Sequence, residues 1–193
     1  MDNFFILESV GYPRSGNHFL NYALRLMYYP DFQTKIVSHD YNKLTTEFVF
    51  VPFRNPADSI PSFDKLKEKL NIDRININIE KLLDRDIELD IEQYIKFYSY
   101  VVEYQYHTVL LDFDIFTQDL SYIARKVKAA KNIDVVNEVT VDDVKASMIE
   151  SGREGNLPGG LGRASDEIKN AIINHPRFAE CVNLYQQMKE LAQ

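Results

Sequence analysis

The chain has one cysteine, Cys181, in 193 residues. An internal disulfide is therefore excluded, and a reducing, cytoplasmic setting is expected. Positive charge is in short supply, with 22 Lys and Arg against 29 Asp and Glu and a net charge of −7. Such a chain makes a poor general partner for nucleic acid or for an anionic membrane surface, so any anion site has to be local. No apolar run approaches the roughly 18 residues of a membrane span. The opening MDNFFILESVG has neither the basic region nor the long apolar run of a signal peptide. The four histidines are dispersed and no paired Cys/His spacing occurs, which argues against a structural zinc. Glycine is scarce as well, at seven. Gly11 and Gly16 frame one loop, and the rest fall within SGREGNLPGGLGR (151–163). Glycine permits positive φ and close backbone approach and is costly elsewhere, so this placement marks two loops.

What is present reads as one domain over 1–193, with the 45% hydrophobic and 26% charged content of an ordinary globular chain. FFILESV (4–10) reads as a short buried strand, followed by a helix from about Gly16 to Tyr29 that Pro30 stops. TKIVSH (34–39) and EFVFVPF (47–53) are further strands. A helix opens near Pro56 and runs to about Leu70, with a kink or delayed start at Pro61. The acidic stretch 71–92 has no clear pattern, whereas 91–107 carries Tyr94, Phe97, Tyr98, Val101 and Val102 at helical spacing, as a sheet-covering helix does. TVLLDF (108–113) is a strand, a helix follows from about Gln118 to Lys131, and the remainder is helical apart from the second glycine loop. Strands alternating with helices predict an α/β fold, a three-layer, mostly parallel sheet flanked by helices, with a phosphate-binding loop after its first strand as in P-loop NTPases.

That loop is GYPRSGNHFL (11–20). A helix N-terminus offers backbone N–H groups and the positive end of the dipole. Arg14 adds a permanently charged planar fork and Ser15 a hydroxyl. The positions that hold Lys and Ser or Thr in magnesium-dependent NTPases hold Asn17 and His18 instead. Asn17 has no charge and His18 is a poor ligand for Mg²⁺, so a phosphate-containing ligand handled without metal is expected.

YPRSGNHFL resembles the first signature of the sulfotransferases that use 3′-phosphoadenosine 5′-phosphosulfate (PAPS), approximately Y-P-[KR]-S-G-T-T-W-L. RNPADSIPS (54–62) is similar to their second signature, approximately R-N-P-x-D-x-x-x-S. The resemblance implies that Arg54 and Ser62 hold the 3′-phosphate of the donor. It implies that Arg14, Ser15, Gly16, Asn17 and His18 cradle the 5′-phosphosulfate, and that Phe19, in place of the signature's Trp, offers an aromatic face to adenine. KIVSHD ends like the strand that supplies the family's catalytic histidine. His39 is then the general base, with Asp40 as the alternative and Val37 where a Lys is usual. VLLDFDIFTQDLSYIARKV looks like a later strand–helix segment, which places Phe113 either against adenine or in the core. GREGNLPGGLGR is similar to a segment that wraps the 3′-phosphate, through Arg153 and Gly155.

The activity so implied is transfer of a sulfuryl group from PAPS to a hydroxyl or amine acceptor, small molecule, glycan or peptide, with 3′-phosphoadenosine 5′-phosphate (PAP) as product and no metal. Arg14 would neutralise charge on the bridging oxygen while His39, with an imidazole pKa near about 6.5, deprotonates the acceptor. Two other readings stand beside it: a P-loop kinase-like phosphotransferase, and a nucleotide-binding module without catalysis. The stretch 152–163 is expected to act as a lid, and acceptor recognition is expected from 64–92 together with that loop.

Overall fold

The computed structural model describes residues 5–29, 32–36, 49–71, 79–104, 108–157 and 164–193. Four short strands, β1 (Phe5–Ser9), β2 (Phe32–Ile36), β3 (Val49–Phe53) and β4 (Thr108–Asp112), form one sheet in the order β2-β1-β3-β4. Every neighbouring pair is parallel. Parallel neighbours need long crossovers. Helix α1 (Asn17–Tyr28) lies between β1 and β2, and α2 (Pro56–Asn71) and α3 (Ile79–Glu103) lie between β3 and β4. The chain continues through α4 (Phe113–Phe116), α5 (Leu120–Lys131), α6 (Val141–Glu150), a 3-10 turn (Glu154–Asn156), α7 (Asp166–Ile173) and α8 (Phe178–Leu191).

Alternation along the strands divides the interior into two cores. Val49, Val51, Phe53 and Leu110 pack with α2, α3, α7 and α8 on one face. Leu7, Phe50, Val109 and Leu111 pack with α1, α4, α5 and α6 on the other. Burial on both faces is why these strands read as nearly unbroken apolar runs. The result is the expected sheet with helices on either side. Among the described residues no helix is long and apolar enough to cross a membrane.

Several elements differ from the sequence reading: residues 132–140, read as part of a helical remainder, hold no helix, Phe113 opens α4 instead of ending β4, and α3 and α2 depart as well. Helix α3 starts at Ile79, inside the stretch that shows no pattern. Its stripe is present there, since Ile87, Asp90, Ile91 and Tyr94 are all buried, while Glu88 and Leu89 face solvent. One acidic residue sits in the stripe itself, and the charged outer face hides the rest. Helix α2 begins at Pro56 without delay and runs through Pro61. Asn55 caps it, its Oδ1 accepting the Ala57 N–H at 2.9 Å and its carbonyl the Ser59 N–H at 3.0 Å. Pro61 has no N–H to give to the Ala57 carbonyl, and the neighbouring turns carry the helix across that gap.

Cys181 is fully buried in α8, and burial pushes its thiol up to about 12. The thiolate is the reactive species, so iodoacetamide at pH 8 should leave the native protein unmodified over an hour and label it fully in 6 M urea. Stoichiometric labelling without denaturant would contradict this packing.

Candidate functional site

β1 is followed in the sheet by β2 on one side and flanked by β3 on the other, so its carboxyl end is a topological switch point, where open α/β sheets form a crevice. Pro52 opens this one. Phe50 pairs with β1, its carbonyl accepting the Val10 N–H at 3.0 Å. Two residues on, Pro52 turns its backbone to the same side, has no N–H, and gives its carbonyl to the Tyr98 hydroxyl at 3.1 Å. The chain after β1 leaves the sheet at this level as Gly11. The loops that follow β1 and β3 therefore face each other.

The first loop contains a tight turn, with the Ser15 N–H donating to the Tyr12 carbonyl at 3.2 Å. Pro13 presets the first central position, and Arg14 occupies the second at φ 65°. A non-glycine residue held there costs about 1–3 kcal/mol and persists only where its surroundings over-determine it. Here three bonds do so. Arg14 Nε donates to Ser62 Oγ, Nη1 to Asn156 Oδ1 and Nη2 to the Gly155 carbonyl, each at 3.1 Å.

Gly16 then starts α1 at φ 93° without a side-chain cap, and no acidic residue lies in the first turn. The first intrahelical bond is Leu20 N–H to the Gly16 carbonyl, so the preceding N–H groups present the positive end of the helix. Both glycines are required by protein neighbours. A Cβ on Gly16 would lie 2.6 Å from the Phe113 ring, and one on Gly11 would lie 2.5 Å from Asn17 Oδ1.

Two expected side-chain donors are committed elsewhere. Asn17 Nδ2 donates to the Gly11 and Tyr12 carbonyls at 3.2 Å each, which folds the loop onto its own helix. Its Oδ1 is buried without a partner. Ser15 Oγ is 2.8 Å from the Tyr98 hydroxyl. Tyr98 has one proton and donates it to Pro52, so Ser15 must be the donor of this pair. What this loop can offer an anion is backbone N–H, not these side chains.

Arg54, the first residue after β3, reaches the same place. Its Nη1 donates to the Arg14 carbonyl at 3.4 Å, and its guanidinium lies over the Phe113 ring, 4.5 Å from the centroid. Among the described residues no carboxylate pairs with either arginine; Asp58, the nearest acidic residue in chain order, pairs with Lys169 at 3.7 Å. Burial lowers the affinity of both guanidiniums for the proton, and for Arg14 the charge of Arg54 adds to the effect. Asp58 and Asp114 act on Arg54 in the opposite sense from a distance. Both arginines stay charged. The crevice thus brings two half-buried like charges together.

The structure brings together Arg14, Ser15, Gly16, Asn17, Arg54, Ser62, Phe113 and Gly155. Arg153 is exposed beside that group, and its backbone N–H donates to the Met148 carbonyl at 2.8 Å. His18 is half-buried in the first turn of α1. Phe19 departs from its expected role: it is 1% exposed and packs against Phe116 in the core, because helical spacing turns it inward with Ala23. Phe113 is 8% exposed with one face under the Arg54 guanidinium. His39, Asp40 and Val37 lie outside the described residues. Three participants escaped the sequence reading, Tyr94, Tyr98 and Asn156. The tyrosines carry a signal, since a buried phenol needs a partner, but sequence does not say which. A surface groove of about 500 Å³ lined by Arg25, Tyr29 and Glu138 sits at the other end of α1, away from both arginines.

The chain matches no protein-family model, no curated protein and no solved structure.

Gly16→Ala combines a forbidden φ with a ring clash and should cost about 1–3 kcal/mol in urea unfolding. An unchanged midpoint would contradict the packing of Phe113 against the loop.

Proposed function

We propose that this crevice binds the phosphates of PAPS and that the chain is a sulfotransferase built on a P-loop type of fold. The observation that carries the reading is the meeting of Arg14 and Arg54, from turns at the ends of adjacent strands, with no carboxylate to neutralise them among the described residues. Phosphate chemistry fits this donor set: an uncapped helix N-terminus, an arginine with open N–H groups, and a serine with a spare proton. Ser62 Oγ accepts from Arg14, which leaves its own O–H to donate. The parallel sheet with its loop at the switch point supports the P-loop reading, and the paired signatures support PAPS over other nucleotides. The adenine fits less well, because neither Phe19 nor Phe113 offers an open face.

PAPS supplies the sulfuryl group and a phosphate leaving group. The α1 backbone N–H groups would hold the 5′ end, and Arg54 with Ser62 the 3′-phosphate. His39, or Asp40 beside it, would take the proton from the acceptor hydroxyl as its oxygen bonds to sulfur and the bond from sulfur to the bridging oxygen breaks. Arg14 would stabilise the charge left on that oxygen, exchanging neutral acceptors for an anionic one.

A second reading has an observation of its own. Arg14 is already held by three protein acceptors, as in a loop built only for binding. Arg14→Ala separates the two: an enzyme should lose turnover far more than donor affinity, a binding module affinity alone. For the nucleotide itself, PAP without metal should raise the melting temperature more than ATP with Mg²⁺ does. The reverse order would favour a kinase-like phosphotransferase. Arg54→Ala should weaken PAP binding about 10- to 100-fold in calorimetry, as loss of charged hydrogen bonds does. Unaltered affinity would remove Arg54 from the site.

A further inference from the structure

We propose that Tyr98, with Tyr94 one helical turn before it, is a positioning residue of this crevice: their hydroxyls fasten both arginine-bearing turns to one face of α3. The ligand in this proposal rests on the PAPS reading; the fastening does not. Tyr98 donates to the Pro52 carbonyl at 3.1 Å and accepts from Ser15 Oγ at 2.8 Å. Tyr94 donates to the Arg54 carbonyl at 3.1 Å. Tyr12, at the start of the first loop, returns the contact by donating to the Asp90 carbonyl at 3.2 Å. The rings form one cluster, Tyr94 to Tyr98 at 4.6 Å and Tyr12 to Tyr94 at 5.1 Å between centroids.

The proton inventory makes Tyr98 more than packing. It accepts the hydroxyl proton of Ser15 and donates its own to the carbonyl of Pro52, tying the first loop to the end of β3. Ser15 and Tyr98 are both fully buried, so no solvent can replace the missing partner if the hydroxyl is removed.

Tyr98→Phe retains the ring and deletes only the hydroxyl. In hydrogen–deuterium exchange of the full chain, segments 10–19 and 50–58 should exchange at least about tenfold faster, with α5 on the opposite face of the sheet unchanged. Unchanged exchange in 10–19, or equal acceleration in α5, overturns the proposal. Tyr94→Phe is the second variant should the first not fold, and its acceleration should be confined to 50–58; none there overturns it equally. PAP affinity by calorimetry should fall about tenfold in Tyr98→Phe, and Ser15→Ala in that background should add nothing, because the Ser15 hydroxyl has already lost its hold on Tyr98. Additive losses, or an affinity within about twofold of the parent, overturn it. If the parent binds no adenosine nucleotide, the sulfotransferase reading fails, and exchange alone decides the role of Tyr98.

Discussion

Two guanidinium groups share one crevice with no carboxylate between them among the described residues, and much of the surrounding architecture can be understood as the means of holding them there. Like charges in a half-buried setting repel, and each loses hydration on burial. The protein compensates without neutralising them. Arg14 is surrounded by neutral oxygen acceptors, and Arg54 lies on the negative face of an aromatic ring. Each arrangement restrains a cation without recourse to a carboxylate among the described residues.

The same economy extends to the polar groups around the loop. Asn17 and Ser15 look in sequence like ligand donors, but they donate to the protein's own oxygens. Gly11 and Gly16 look like clearance for a ligand, but they give room to Asn17 and Phe113. Among the described residues, the side-chain donors that remain once those contacts are subtracted are on Arg54 and Ser62.

The spacing between the two loops is set by Pro52 as much as by the loops themselves. A proline in a central strand removes one N–H at the level where β1 departs, and the strands part. Helix α3 then fills the role of the missing ladder with phenol groups. The proline, the tyrosines and the arginine turns form one connected unit, so a change in any of them reaches the two arginines through hydrogen bonds.

By itself the sequence determined the class of fold and the position of the crevice along the chain. Apolar runs buried on two faces, such as VFVPF, signal a covered parallel sheet, and the glycine and proline positions bracket the first loop and the start of α2. Period and steric exclusion are local properties, readable from neighbours in the chain. Tertiary structure alone decided how each donor is used. Phe19 faces inward because α1 packs on Phe116; Phe113 supports Arg54 because α4 follows β4 beneath it; Tyr94 and Tyr98 became part of the site because their helix crosses the ends of β1 and β3. A hydrogen bond between residues 15 and 98 leaves no periodic trace in either segment, since its partner is chosen by packing across the fold and not by the chain around it.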